Sequence, residues 1–438
     1  MTPDGGLALA VALAGRADAR LLSVGWADDA DVPLASGEDL PFEDDAAATL
    51  QADGSAADLA LGPLVHLLLE CRRVLCAGGR LHVGPARDDA ASSRLHEQAA
   101  LVGLEPAPAP AREIHLHDGA TTNGTAASAP AGVACTSGGP GASTFTKRDR
   151  RVAGMPLVSI AIPAFNPRYF PIALDSALAQ TYPNVEIVVC DDSADGTIEA
   201  AVASRASRAP IRYLRNAARL RPRGNFTRCL EESRGEFLKF LCDDDVLAPT
   251  CVERLLGAFR GAPDVTLATS RRALIDGNGR ALAPLPATWP IVTEDTLIAG
   301  TTLANAVLMA GLNTIGEPST ALFRRDDLAA QAPGYFRFRG CAGHGVIDLV
   351  MWASLLMKGN AVYLHDALSG FRFHAEQRQH DPSMHDRNVA SIRELQSAWL
   401  ALGIHDRQSP GELLAKRFPP DGDDWRPRPV QGLSVRRA

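Results

Sequence analysis

The run Asp243-Asp244-Asp245 is the densest concentration of potential chemistry in the chain. Three adjacent carboxylates repel one another, so the arrangement is costly unless a cation sits among them. Oxygen ligands of this kind suit a hard divalent ion, Mg2+ or Mn2+, of which Mn2+ tolerates a mixed shell. Asp243 and Asp245 have the D-x-D spacing. In an extended stretch residues two apart point the same way, so both would face one ion. The bland alternative is a solvated acidic turn. The apolar run Phe237-Leu238-Lys239-Phe240-Leu241-Cys242, which reads as a strand leading into the acidic residues, favours the metal site. Arg219, Arg221 and Arg223 precede a helix expected to start near Gly224. Guanidinium groups beside a helix N-terminus make an anion site, though a solvated basic loop reads equally well.

For these groups to meet, one sheet edge must collect them. Apolar runs at 157–162, 185–190, 211–214 and 236–242 read as strands, and 170–180, 197–208 and 224–234 read as helices. Short apolar strands separated by helices predict an α/β fold with a mostly parallel sheet covered on both faces. Ligands of such sheets bind beyond the carboxyl ends of the strands. The first strand ends in Pro163-Ala164-Phe165-Asn166 and the second in Asp191-Asp192-Ser193-Ala194-Asp195-Gly196-Thr197. The third leads to Arg215-Asn216 and the arginine loop, and the fourth to the acidic run.

In this order the motifs resemble those of family-2 glycosyltransferases with the Rossmann-like GT-A fold. The matching residues are Val158-Ser159-Ile160-Ala161-Ile162-Pro163-Ala164-Phe165-Asn166, Glu186-Ile187-Val188-Val189-Cys190-Asp191-Asp192-Ser193, and Gly235-Glu236-Phe237-Leu238-Lys239-Phe240-Leu241-Cys242-Asp243-Asp244-Asp245-Val246-Leu247. Any one motif is weak, but several in order, each after a strand, form a strong signal. The resemblance implies transfer of a sugar from a nucleotide-diphosphate donor, a UDP-sugar by preference, to a carbohydrate or lipid-linked acceptor in bacterial surface polysaccharide synthesis. Pro163, Ala164 and Asn166 would then floor the nucleoside, and Asp192 would accept a base N–H. The competing role for Asp192, a helix N-cap, is better filled by Asp195 or Thr197. Arg219 would meet the diphosphate, and Asn225 would cap its helix or reach the nucleotide. Asp245 is the firmest metal ligand, with Asp243 as its partner and Asp244 on the ribose or sugar. Many relatives carry Asp where this chain has Cys242, which is assigned to the strand.

The second half of the domain is expected to bind the acceptor. Gly316-Glu317-Pro318-Ser319 resembles a turn of the family, with Glu317 on the sugar or simply exposed. Asp348, opening a helix, corresponds to the catalytic base of inverting members, although acidic residues also favour a helix's first turn for its dipole. Arg372-Phe373-His374 resembles the family's Arg-x-His, and the alternation puts both polar side chains on one face. His374 would ligate the metal or hold the diphosphate, with His380 and His385 as weaker candidates.

At 438 residues the chain is too long for one typical core. Residues 1–106 alternate apolar runs with acidic loops and resemble the later half of a class I methyltransferase, lacking its glycine-rich cofactor loop. A helix across 63–75 is expected to end at Gly78-Gly79, with a strand at 80–83. Residues 107–154 read as a flexible linker, 155–385 as the GT-A domain, and 386–438 as a C-terminal helix and tail. The net charge of −7 gives no reason to expect nucleic-acid binding. Eight cysteines without a C-x-x-C pair read as reduced thiols of a cytoplasmic protein. No run reaches the length of a membrane span, so any membrane association would be peripheral. The competing functional classes are a non-catalytic sugar-nucleotide-binding protein and a metal-dependent nucleotidyltransferase. The latter is disfavoured by the absence of a glycine-rich phosphate loop after the first strand.

Overall fold

The computed structural model describes residues 8–13, 22–25, 32–33, 47–52, 59, 61–84, 86–107, 143–147, 152, 154–205, 211–262, 264–329, 335–374, 377, 382–404, 411–420, 422 and 425–431. His380 and most of 107–154 lie outside them. The chain divides into two compact units, the second comprising mainly Arg148–Ala438.

The first unit holds a mixed sheet in the order β3-β2-β1-β4-β5-β7-β6. Its strands are β1 (Ala8–Leu13), β2 (Leu22–Gly25), β3 (Val32–Pro33), β4 (Ala47–Ala52), β5 (Leu75–Val83), β6 (Leu104–Pro106) and β7 (Ser143–Lys147), with helices α1 (Leu61–Val74) and α2 (Asp89–Leu101). Two expectations change here. Gly78-Gly79 does not end the helix: α1 stops at Val74 and β5 starts at once, its second half pairing with both β4 and β7. Ser143–Lys147, expected within a linker, is a strand because its alternation buries Ser143 and Phe145 between β5 and β6.

The second unit is built on a sheet in the order β10-β9-β8-β11-β15-β13-β16-β14-β17-β18, with the short β12 (Val246–Leu247) paired to β16. The strands β8 (Val158–Ala164), β9 (Val185–Asp191), β10 (Ile211–Arg215) and β11 (Phe237–Phe240) run parallel. Beyond them β15 (Leu322–Arg324) is antiparallel to both neighbours, β13 (Val265–Ile275) and β16 (Asn360–Arg372) pair in parallel, and β14 (Thr296–Ile298), β17 (Glu412–Arg417) and β18 (Arg426–Pro429) close the edge antiparallel. The sheet is thus parallel where the strand-end loops gather and mixed elsewhere.

Packing explains the apolar runs. Every residue of β9 is buried, and Ile160 and Ile162 of β8 are fully so. Each such isoleucine contributes on the order of 2–3 kcal/mol. Helix α3 (Phe170–Leu178) buries Phe170, Ala173, Leu174 and Ala177, the i, i+3, i+4, i+7 face of an amphipathic helix. Helix α6 (Cys251–Gly261) sends Phe259 edge-on to Phe237, with centroids 4.7 Å apart. The remaining helices are α4 (Thr197–Ala203), α5 (Arg221–Glu232), α7 (Gly300–Ala310), α8 (Arg325–Ala329), α9 (Ile347–Leu356) and α10 (Pro382–Leu400). The segment 386–438, expected as a C-terminal helix and tail, belongs to this unit: the helix α10 starts at Pro382, and β17 pairs with β14. No described helix is long and apolar enough to cross a membrane.

Candidate active site

Four strand ends deliver the first half of the site. Asn225, buried in the first turns of α5, ties two of them together. Its Nδ2 donates to the carbonyls of Ala164 (3.2 Å) and Cys190 (2.9 Å), while its Oδ1 accepts from Asn216 Nδ2 (3.0 Å). The amide expected to cap a helix or meet a nucleotide is therefore committed to the floor of the loops.

Asp192 carries the next layer. Oδ1 accepts from Asn216 Nδ2 (2.8 Å) and the Leu220 N–H (2.6 Å), and Oδ2 accepts from the Arg221 N–H (2.8 Å). Of the roughly four lone-pair sites of a carboxylate, three are taken and one is left for a ligand. Asp192 thus caps α5, a helix 28 to 29 residues further along the chain. That is why α5 begins at Arg221 and not near Gly224: Leu220-Arg221-Pro222 holds no capping residue of its own, and Asp192 supplies the missing acceptor. Asp195 does serve α4, accepting the Thr197 N–H at 3.0 Å, a bond that lowers its carboxyl from the usual range.

The three arginines separate. Arg221 and Arg223 fall in the first turn of α5 instead of ahead of it. Arg223 donates Nη1 to the Phe336 carbonyl (3.1 Å), and its pKa is depressed by burial and by Arg337, so it belongs to the scaffold. Arg219 packs on a strand-end loop. Its guanidinium lies 4.3 Å from the ring centroid of Phe165, which is 46% exposed.

The acidic run is a turn, not an extended stretch. β11 ends at Phe240, Cys242 lies beyond it, and the Asp245 N–H returns to the Cys242 carbonyl at 3.2 Å. The two-residue alternation therefore fails. Asp243 turns back, and its Oδ2 accepts the N–H groups of Phe165 (2.6 Å) and Asn166 (2.7 Å). The potential ligand atoms brought together, all within 4.8 Å of one another, belong to Cys242, Asp244 and Asp245. Asp245 is buried, accepting Ser319 Oγ–H on Oδ2 (2.6 Å) and the Arg372 N–H on Oδ1 (3.0 Å). Asp244 Oδ2 lies 3.2 Å from His374 Nε2. Burial and the neighbouring Asp244 push Asp243 up to about 7 and Asp245 well above its ordinary value. Asp245, costly as a free anion, stands with the Asp244 carboxylate, an imidazole nitrogen and a thiol, and that donor set fits a divalent cation of the Mn2+ type.

Arg372 and His374 share a face, as their spacing predicts, and both meet Asp244. Arg372 Nε donates to the Asp244 carbonyl (2.8 Å) and Nη1 to the Asp276 carbonyl (2.9 Å). His374 packs on Tyr169 with centroids 4.8 Å apart, and its Nδ1 is buried with no hydrogen-bond partner among the described residues.

The other wall comes from the turn at 316–320 and α9. Gly316 adopts φ +116°, where a Cβ would meet Thr320 Oγ1 at 2.5 Å, so the turn needs glycine. Glu317 forms an ion pair with Arg272 of β13, with Nε–Oε2 at 2.6 Å, although neither atom has an aligned hydrogen bond. Asp348, in the first turn of α9, is half-buried. Its Oδ1 accepts the Leu349 N–H (2.9 Å), its Oδ2 accepts Asn313 Nδ2 (2.7 Å), and desolvation raises its pKa to about 6.

Sequence reasoning did not single out Ser319 or Lys239, although both fix the acidic turn. Lys239 Nζ, buried within β11, donates to the Ser319 carbonyl (2.6 Å), and the Ser319 hydroxyl reaches Asp245 and accepts the Cys242 N–H (3.0 Å). The available signal was a lysine inside an apolar strand. Arg272 gives the same signal in β13.

Residues 159–330 match the family model described as Glycosyl transferase family 2. The chain is 29% identical over 262 residues to an uncharacterized protein of Mycobacterium tuberculosis (strain CDC 1551 / Oshkosh), covering 59% of this chain and 79% of that protein. It is 30% identical over 145 residues to a chondroitin synthase of Escherichia coli, covering 33% of this chain but only 21% of the synthase. A crystal structure of S. aureus TarS 1-349 in complex with UDP-GlcNAc aligns with a TM-score of 0.43 at 17% identity, over 56% of this chain and 66% of that one.

Proposed function

We propose that the family-2 glycosyltransferase domain formed by residues 159–330, completed by α9 and β16, moves a sugar from a nucleoside-diphosphate donor to an acceptor hydroxyl. The observation that carries the reading is the placement of Cys242, Asp244 and Asp245 beside His374, beyond the parallel strands. A divalent cation bound there would neutralise the diphosphate as the glycosidic bond breaks. Asp244 and Asp245 are the residues that would hold it, with Cys242 within the same cluster and His374 beside Asp244. Asp243 instead positions the loop at Phe165 and Asn166. The nucleoside would lie on Pro163, Ala164 and Asn166, with the remaining lone pair of Asp192 directed to the base and Arg219 near the diphosphate.

Asp348 is assigned as the base. It takes the proton of the acceptor hydroxyl, whose oxygen attacks the anomeric carbon opposite the diphosphate. The bond to the diphosphate breaks, and its electron pair leaves with the nucleotide, inverting the anomeric centre. With a pKa of about 6, Asp348 is largely ionised at neutral pH and still basic enough to share the proton. A UDP-sugar donor, a carbohydrate or lipid-linked acceptor and a setting in bacterial surface polysaccharide synthesis complete the proposal. The match to a chondroitin synthase supports that setting. For the first unit the reading is a truncated, non-catalytic α/β module. The test is donor hydrolysis across a panel of nucleotide sugars, with Mn2+, Mg2+ or chelator present. Metal-dependent turnover of one donor class is expected, and no turnover with any donor under any condition would overturn the proposal.

A further inference from the structure

Asp348 is held by a side chain that no motif points to. Asn313 lies in the loop after α7, and its amide has no freedom to flip. The Gly316 N–H can only donate and meets Asn313 Oδ1 at 3.0 Å. Nδ2 therefore faces the other way, donating to the Gly316 carbonyl (2.9 Å) and to Asp348 Oδ2 (2.7 Å). The anchor is itself braced. The Gly316 carbonyl also accepts Trp352 Nε1–H from α9 (3.0 Å), and the Asn313 carbonyl accepts Arg272 Nη2 from β13 (3.1 Å). Asn313, Gly316, Trp352 and Asp348 thus form one network joining the loop, the 316–320 turn and α9.

We propose that Asn313 is a positioning residue for Asp348: its locked amide presents an N–H donor that favours the ionised carboxylate and fixes which lone pairs face the acceptor. The inference rests on the reading of Asp348 as the base. An amide N–H cannot accept a proton, so Oδ2 meets a donor whichever state Asp348 is in, and the bond is strongest to the anion. The Leu349 N–H does the same for Oδ1. Each oxygen keeps a further lone pair that these two donors leave available to an incoming hydroxyl. Burial and the charge of Glu317 oppose ionisation, while the two donors and the N–H of Asp348 itself favour it. Glu317 is in turn paired with Arg272. Of the other elements packed on α9, α7 carries no charged residue, β13 carries Arg271 besides Arg272, and α8 carries Arg325, Asp326 and Asp327. α9 itself has none besides Asp348.

The test uses the full chain with its best donor and saturating metal, and compares Asn313→Ala, Asn313→Asp and Asp348→Asn. Loss of a hydrogen bond to a charged group predicts that Asn313→Ala lowers kcat about 10- to 100-fold. The acid limb of the kcat–pH profile should move up by about one unit, with the KM for the donor unchanged. Asn313→Asp keeps the acceptor for the Gly316 N–H but sets a carboxylate against Asp348, so its limb should move further up than that of the alanine variant. A merely structural role would lower the amount of active enzyme without moving the limb. UDP binding by calorimetry checks that each variant is folded, since the nucleotide pocket lies on the other wall. If Asp348→Asn abolishes transfer while both Asn313 variants keep kcat within about twofold and an unshifted limb, this inference alone is overturned. If Asp348→Asn retains transfer, the base assignment fails and takes the inference with it.

Discussion

Replacing Asn225 with alanine distinguishes a scaffold amide from a ligand contact. The substitution removes three hydrogen bonds: two donated to Ala164 and Cys190, and one accepted from Asn216. Two of the abandoned partners keep company. The Ala164 carbonyl still accepts the Asp192 N–H at 2.9 Å, and Asn216 Nδ2 still donates to Asp192 at 2.8 Å. The loss is then about 1 kcal/mol per bond, about 3 kcal/mol in all, without a large extra desolvation penalty. Asn225→Asp is nearly isosteric but places a carboxylate oxygen where Nδ2 faced two carbonyls, so it should cost more, about 4 kcal/mol or above. Urea denaturation followed by tryptophan fluorescence measures both. Donor KM should rise in the alanine variant because the loop carrying Asp192 and Asn216 loosens. Were Asn225 a nucleotide contact instead, Asn225→Ala would lose donor affinity with less than about 1 kcal/mol of stability, and the aspartate variant would be no worse. That outcome would refute the reasoning.

At saturating metal and donor, kcat should fall about tenfold between pH 7 and pH 5, because the active form of Asp348 is the anion and its pKa is about 6. A profile flat to pH 5 would mean that the base is a carboxylate of ordinary pKa or another group. Arg272→Met leaves Glu317 without its partner and should cost about 3 kcal/mol, whereas the double variant with Glu317→Leu should recover most of that loss. Equal destabilisation in single and double variants, read from chemical denaturation, would show that Arg272 acts through its packing and its hydrogen bonds to the Ala287 and Asn313 carbonyls, not through Glu317.

The strands were legible because parallel strands buried on both faces read as near-continuous apolar runs, and β8 and β9 do so apart from Ser159, Glu186 and Asp191. The strand-end rule then pointed to the candidate site. What sequence could not supply was the partner of each polar side chain. Asp192 looked free for a ligand because the helix it caps starts 29 residues later. Asp243 looked like half of a metal pair because an extended backbone was assumed, and the bond from Asp245 to Cys242 makes a turn of it. Asn313 carries no local pattern at all, and its role exists only once the 316–320 turn and α9 are packed together. The strand β7 was missed because its five residues stand apart from the rest of their sheet, and their pairing to β5 is long-range.

The central claim is a cation-dependent nucleotide site centred on Asp244, and the direct measurement is calorimetric titration of UDP into the protein with and without Mn2+. Asp244 is the cleaner target than Asp245, whose burial against Ser319 and Arg372 ties it to stability. UDP should bind the wild-type chain far more tightly with Mn2+ than with chelator. Asp244→Asn should lose that difference while its unfolding transition stays within about 1 kcal/mol of wild type. Metal-independent UDP binding in the wild type, or full Mn2+ dependence retained by Asp244→Asn, would contradict the account.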